Sequence, residues 1–445
     1  MASLDLTLED ARRRWLRGLL ALALRGGLGK LVSLASLVIL SRLLAPADFG
    51  AFAIVLLPVG LALLLGDAGI SAALIRRPGH LTAEDERAGF TLRLVLGLAL
   101  AAMLATLAGP VGRLYRLEAG AVWALRALAL SLCCDPLGLI PSVRLNRALR
   151  FDRLAWAEAG SLLVGQAAAI AAAFAGWGLA SLVAGAVATS LAGMLLVNAL
   201  AGWRPSFGVS RVAARSLLGF GLPYQAQGLL HLLMGRIVPA LGGLVLSGGQ
   251  VGYLVWAQDL ARWPRIPADY TARVSFPAYA RFQTDPAALN AMIAEALRLV
   301  SLTTFPAAAL GIALAPALVP LVFGPEWQPA SAPLAIFLAQ APFDALATVL
   351  LPVIYASGDA RRGLRLSLVW ALLAWSASGL ALLLAGGVPA LAAALAATTA
   401  VMSVLILRSL PPGVRLPDWR VIGGPLALAA LLGLAVRLGW EALAR

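Results

Sequence analysis

Residues 90–111 read FTLRLVLGLALAAMLATLAGPV, with Arg93, near the start, as the one charged side chain. A helix of this length covers about 33 Å, enough to cross a hydrocarbon core of about 30 Å. Strands of a membrane barrel would instead alternate apolar and polar residues over about 10 positions, and no such alternation is present. The stretch therefore reads as a transmembrane α-helix. Working outward from it, similar runs lie at 22–42, 50–75, 119–142, 154–174 and 178–202, and then at 214–240, 245–268, 294–322, 332–356, 364–385 and 388–407. A thirteenth, 421–439, follows a polar, Pro-rich connector and either crosses the membrane or lies as a re-entrant or interfacial segment. The composition agrees: of 445 residues 61% are hydrophobic and 13% charged, with a mean hydropathy of +0.89, far from the balance of a soluble domain.

A net charge of +14 raises nucleic-acid binding as a function class, but such a protein gathers its basic residues on one polar face or arm. Here they sit between apolar runs and on alternate loops. The N-terminal arm carries Arg12, Arg13, Arg14 and Arg17, and the next loop on the same side Arg76, Arg77, Arg87 and Arg93. Arg144, Arg147, Arg150 and Arg153 follow, and later loops of that side continue the pattern, whereas the opposite loops hold few basic residues. Cytoplasmic loops retain Lys and Arg, so the N-terminus is expected in the cytoplasm and the protein in the inner (cytoplasmic) membrane. Met1–Leu20 is acidic, then basic, with no apolar h-region and cleavage site, so no cleaved signal peptide is expected. Thr7 and Asp10 form a capping-box pattern for a short amphipathic helix, with a frayed basic tail as the alternative. Cys133 and Cys134, adjacent in an apolar run, offer neither a disulfide framework nor spaced metal ligands.

The two halves of the chain look alike. Phe49-Gly50-Ala51-Phe52 opens the second run and Val251-Gly252-Tyr253-Leu254 the eighth; Pro110-Val111-Gly112 precedes the fourth and Pro320-Leu321-Val322 the tenth. The offsets agree within a few residues. The expected architecture is an all-α polytopic membrane protein of two six-helix bundles related by an internal repeat, plus a C-terminal extra helix. Its parts are a cytoplasmic amphipathic arm (1–21), an N-lobe (22–203), a cytoplasmic linker (204–215), a C-lobe (216–407), and a connector with helix 13 (408–445).

Ser41-Arg42-Leu43-Leu44-Ala45-Pro46-Ala47-Asp48-Phe49-Gly50, then Gly66-Asp67-Ala68-Gly69 and Ala73-Leu74-Ile75-Arg76-Arg77, resemble the opening of the polysaccharide transporter family. These are the Wzx-like O-antigen, capsule and exopolysaccharide flippases of the multidrug/oligosaccharidyl-lipid/polysaccharide exporter superfamily. Arg273-Val274-Ser275-Phe276-Pro277, Leu321-Val322-Phe323-Gly324-Pro325-Glu326-Trp327 and Ala356-Ser357-Gly358-Asp359 follow in the family's order, so the resemblance spans about 25–385. It implies two six-helix lobes around a cavity, alternating access, and a substrate carried on undecaprenyl pyrophosphate. One departure is Gly235 before Arg236, where the family usually carries an acid.

An ionisable side chain at the bilayer centre costs about 2.5–3.5 kcal/mol on insertion scales, which makes such residues the site candidates. Arg25, Ser33 and Ser36 form a polar stripe on the first run, with Lys30 about 140° away from Arg25 around the helix. Tyr224, Gln227, His231 and Arg236 make the seventh run polar on much of its circumference, a candidate cavity wall. Arg236 and Arg126 either hold a pyrophosphate, which a guanidinium fork matches, or serve as internal ion pairs. Asp344 is central in the tenth run with Gln340 one turn earlier, and either partners an arginine, carries a coupling proton or binds sodium; Asp67 and Asp259 are shallower versions. Pro223, Pro239 and Pro342 are candidate hinges. No nucleotide loop, metal motif or other cofactor signature is found, and none is expected.

The leading reading is a non-enzymatic flippase for an undecaprenyl-pyrophosphate-linked polysaccharide repeat unit, with membrane lipids and glycan polymerase or export machinery as partners and no nucleic acid. A multidrug exporter of the same superfamily would favour acidic and aromatic walls over Arg126, Arg236 and Lys30. A membrane polymerase or ligase would need a sizeable outer loop, and the outer connections are short. An envelope scaffold gives no reason for charge inside the helices.

Overall fold

The computed structural model describes residues 27, 29–415 and 419–443; among them every regular element is a helix. The arm at 1–21, with its capping box, and Arg25 lie outside the described residues. Lipid offers no partner to a backbone amide or carbonyl, so each crossing must satisfy its own. Nine described helical stretches are long and apolar enough to cross a membrane, or ten if one bent pair counts as a span. With the bent pair counted as a span, the difference from the thirteen expected runs has three sources. The first run is described only from 27 onward, as helix α1 (29–43). The eighth is broken: α11 (Gly248–Ala261) gives way to a 3-10 turn at Trp263–Arg265 before α12 (Ile266–Arg281), where Pro264 and Pro267 remove backbone donors. In the thirteenth, α17 (Trp419–Leu443), the apolar part covers Ile422–Val436.

Packing divides the chain into two units, one of them Leu31–Gly252. It contains α1, α2 (Pro46–Asp67), α3 (Ile70–Arg76), α4 (Ala83–Leu114), α5 (Ala119–Ala129), α6 (Ser131–Arg147), α7 (Phe151–Phe174), α8 (Leu179–Ala201), α9 (Arg211–Gly235), the three-residue α10 (Gly243–Val245) and the start of α11. Thr82 caps α4 through a reciprocal capping box with Asp85, and Glu84, Asp85 and Glu86 place negative charge on the positive end of its dipole. α2 stops where Ala68 and Gly69 turn to positive φ (45° and 71°). Val55, Leu104, Leu125, Leu128 and Val183 are buried between α2, α4, α5 and α8.

α9 packs with this unit. A Cβ on Gly69 would stand 2.2 Å from the Gly221 carbonyl oxygen, and Gln225 donates to the Leu64 carbonyl. Backbone contact of this kind needs glycine on both helices. The same device holds the start of α11 to the start of α2: a Cβ on Gly50 would lie 1.8 Å from the Gly248 oxygen, and one on Gly252 1.9 Å from the Pro46 oxygen. The resemblance between the Gly50 and Gly252 segments thus has a packing basis. Beyond α9 the helix bends by 53° between Gly228–Gly235 and Val238–Val245, at a π-helical turn containing Pro239.

The second unit runs from Tyr253 and contains the rest of α11, α12, α13 (Pro286–Leu318), α14 (Ser331–Ala356), α15 (Ala360–Leu384), α16 (Gly387–Arg408) and α17. Ile293, Leu297, Val300, Val349 and Ile354 form its core. The Phe323-Gly324-Pro325-Glu326-Trp327 motif is an aromatic plug: Trp256 lies 4.7 Å from the ring of Phe323 and 5.0 Å from that of Trp327, and Tyr253 Oη donates to the Glu326 carbonyl at 3.1 Å. Leu372, Leu383 and Leu384 face outward, as expected of a lipid-contacting surface.

The glycine crossing yields a direct expectation. Gly50→Ala must separate two backbones and should lower the thermal midpoint of the detergent-solubilised protein, at an overpacking penalty of about 1–3 kcal/mol. Gly249→Ala, which would meet nothing within 4 Å, should leave the midpoint unchanged.

Candidate functional site

Each unit contains an arginine held between two carboxylates. In Leu31–Gly252, Arg93 on α4 pairs with Asp67 at the end of α2 and with Asp135 in α6. Its Nε donates to Asp135 Oδ2 at 2.9 Å. Asp67 sits where it can reach Arg93 because α2 terminates immediately after it. Ser71, one turn along on α3, donates its hydroxyl to the same carboxylate. The Arg93 side chain is 10% exposed and those of Asp67 and Asp135 20% and 37%.

In the second unit Arg265, at the break between α11 and α12, donates to Asp344 at 2.8 Å. Asp269, one turn further on, stands 3.7 Å from the same guanidinium. Gln340 Nε2 donates to Asp344 Oδ2 at 3.0 Å, and the Thr348 hydroxyl bonds the Asp344 backbone carbonyl. Arg265 Nε and Gln340 Oε1 are buried without a hydrogen-bond partner, so one donor and one acceptor remain unspent beside the pair.

The carboxylates of the two clusters share sequence offsets with the paired motifs. Asp67 and Asp269 stand at the same offset as Gly50 and Gly252, and Asp135 and Asp344 match the Pro110 and Pro320 offset to within one residue. The arginine alone changes helix, from α4 to the α11–α12 break. Each cluster has two acids and one base, so uptake of one proton or monovalent cation would neutralise it. No group of three His, Cys, Asp or Glu suited to a metal ion occurs among the described residues.

Other arginines close the helix ends. Arg147 Nη1 donates to the carbonyls of Leu74, Ile75 and Arg77 at 3.0, 3.1 and 2.6 Å, and its Nη2 to that of Gly79. Arg144 binds Glu86 through two 2.7 Å bonds, a bidentate geometry specific to guanidinium. Arg153 donates to the Leu200 carbonyl at 2.8 Å.

The family model described as "Polysaccharide biosynthesis protein" matches residues 39–332, a stretch that contains Arg93 with both its partners and Arg265 with Asp269. The chain belongs to this polysaccharide biosynthesis family. The family model of "Lipid II flippase MurJ" matches residues 272–443, including Asp344. Among curated proteins, the lipopolysaccharide biosynthesis protein WzxC of Escherichia coli is 24% identical over 67% of this chain and 61% of its own length. The succinoglycan biosynthesis transport protein ExoT of Rhizobium meliloti is 29% identical over 41% of this chain and 37% of its own. The matches thus span less than two thirds of either relative. Among solved structures, lipid II flippase MurJ in an inward closed conformation superposes with a TM-score of 0.70 at 13% identity, covering 95% of this chain and 98% of that one. An inward-facing multidrug resistance MATE family transporter gives 0.64 at 15% identity, covering 92% and 95%. At these identities the likeness is one of fold: this member of the polysaccharide biosynthesis family shares the helical-bundle fold of those two structures.

Of the residues singled out in the sequence, Asp67, Asp344 and Gln340 lie in the clusters. Asp259 is exposed and paired with Arg262 at 3.2 Å. Lys30, Arg126 and His231 are exposed, Tyr224 stacks on Phe220 with ring centroids 6.0 Å apart, and Arg236 caps α9 half-buried. Gln227 lies in α9 with its side chain outside the described residues, and Arg25 is outside them altogether. Sequence reading missed Arg93 and Arg265, which it assigned to positively charged loops, and Asp135 and Asp269. The signal for Asp135 was present, as a carboxylate in mid-run at the repeat position of Asp344.

A buried pair is far more sensitive to loss of one partner than of both. Arg265→Leu should destabilise the protein by about 3–5 kcal/mol because it strands a buried carboxylate. The double replacement Arg265→Leu with Asp344→Leu should recover most of that loss. Denaturant unfolding in micelles followed by tryptophan fluorescence reads both; equal losses in the single and double variants would remove the pair from the core's stability.

Proposed function

We propose that this member of the polysaccharide biosynthesis family is a non-enzymatic flippase that moves a polyprenyl-pyrophosphate-linked oligosaccharide, a polysaccharide repeat unit, across the inner membrane by alternating access. The observation that carries the reading is the family match over residues 39–332. The names of WzxC, ExoT and MurJ, a lipopolysaccharide biosynthesis protein, a succinoglycan transport protein and a lipid II flippase, point the same way. Chemistry inside the helices is consistent with transport. Charge is retained in the spans at a cost of a few kcal/mol per group, and it is retained in paired clusters.

In this reading the diphosphate is received by guanidinium and ammonium groups, with Lys30, Arg126 and Arg236 as the candidates, and Tyr224, Gln227 and His231 of α9 as candidates for contacting the sugar. The Asp344–Arg265 pair, with an unspent donor and acceptor, is the candidate for coupling to a proton or sodium ion; the Asp67–Arg93–Asp135 cluster is its counterpart. Arginine-rich loops at 76–93 and 144–153 face the cytoplasm, as does the N-terminus. Glycan polymerase or export machinery would take up the delivered repeat unit.

The test is leaflet exchange in proteoliposomes, with a labelled polyprenyl-pyrophosphate oligosaccharide and an impermeant reagent that modifies sugar only in the outer leaflet. Exchange should exceed that of empty liposomes, and Arg236→Ala should slow it by roughly tenfold or more, the scale of one lost charge-assisted contact. Asp344→Asn should abolish any dependence on an imposed ion gradient. No exchange with host lipid and gradient present would put drug export or scaffolding in its place.

A further inference from the structure

The unit Leu31–Gly252 contains a cavity of about 360 Å³ between α4, α6, α7 and α8. Its walls combine apolar with polar side chains: Asp135, Asn146, Glu158, Ser161, Thr189 and Ser190 line it, together with hydroxyls from Ser71 and Ser142. Arg93 contributes the one basic group, and that group is already shared by Asp67 and Asp135. The Glu158 carboxylate makes no hydrogen bond or ion pair with another described residue. It lies two turns into α7 and lines the cavity.

The polarity of the walls has a direction. Ser161 donates its hydroxyl proton to the Glu158 backbone carbonyl at 2.9 Å, and Thr189 donates to Gly185 at 2.8 Å. Both hydroxyls therefore turn acceptor lone pairs towards the cavity. With two carboxylates, the lining accepts far more hydrogen bonds than it donates. A phosphate or carboxylate ligand would find no free cation there. A metal ion would find no convergent set of His, Cys, Asp or Glu among the described residues. An acyl chain would strip these groups of water without replacing their bonds, which costs roughly 1–3 kcal/mol per group. The ligand that fits is neutral or cationic, rich in O–H or N–H donors, and carries an apolar face for Leu139, Val143 and Met194. The cavity has the room of about a dozen water molecules, which suits one or two sugar rings.

We propose that this cavity is a saccharide subsite selective for neutral and amino sugars, with Glu158 as the residue that excludes acidic ones. The inference rests on the flippase reading and deepens it by naming the class of sugar. Its lining lies near the ends of α3, α6 and α8 and the start of α7, beside Arg144, Arg147, Arg150 and Arg153, so in the proposed orientation the sugar is met on the loading side.

The experiment is saturation-transfer NMR on the full chain in nanodiscs with methyl glucoside, methyl glucosaminide and methyl glucuronide. The first two should receive saturation and the glucuronide should not. Glu158→Gln should raise glucuronide binding by roughly tenfold, the scale of removing one like charge at close range. In Gly193→Leu the added Cβ would stand 3.6 Å from that of Ser161, and the rest of the side chain would extend into the cavity. That variant should abolish binding of the glycosides at an unchanged thermal midpoint. Equal binding of the three glycosides to the unaltered protein, no binding of any, or no change in Glu158→Gln would each overturn the subsite. Leaflet exchange separates the two ideas. Selective glycoside binding without exchange defeats the flippase reading alone, whereas exchange without selective binding defeats the subsite alone.

Discussion

A charge inside a hydrocarbon layer must find partners where it stands, and in each unit of this protein an arginine and two carboxylates partner one another. The requirement shapes the helices around it. α2 ends at Asp67 and turns through two positive-φ residues, which leaves that carboxylate at a helix end within reach of Arg93. The α11–α12 break places Arg265 against Asp344 and Asp269. Helix breaks that look like defects in a spanning segment are thus the means by which a side chain from one helix meets two others.

Much of this was legible in the sequence. Apolar runs gave the helical class, and the ordered motifs gave the family that the match over 39–332 establishes. Asp344 with Gln340 was visible because both are polar in an otherwise apolar run, at helical spacing. Arg93 and Arg265 were not, because near the end of an apolar run an arginine has two physical explanations: a flanking charge that snorkels to the headgroups, or a buried partner. Sequence distance from the run's end does not choose between them. The position of α9 was hidden for a different reason. Glycine contacts such as Gly69 with Gly221 join residues far apart in the chain, and hydropathy carries no record of which helix approaches which.

The internal likeness between the halves acquires chemical content from the clusters. Asp67 with Asp269 and Asp135 with Asp344 keep their offsets, while the arginine between them moves from one helix to another. The arrangement that persists is two acids around one base, and the element that supplies the base is free to change. Coulomb interaction permits this, since the field at the site depends on where the guanidinium ends and little on where its backbone begins.

Arg147 bonds four carbonyls that precede it by about seventy residues in the chain. During synthesis those groups, at the end of α3 and just beyond it, enter the membrane before α6 has been made. Until residue 147 emerges they have only water and lipid headgroups for partners. Arg93 is in a similar position, with Asp67 already made and Asp135 still to come. Chain order therefore leaves Arg93 with one of its two carboxylates until α6 is made, and α6 completes both that cluster and the carbonyl contacts at the end of α3.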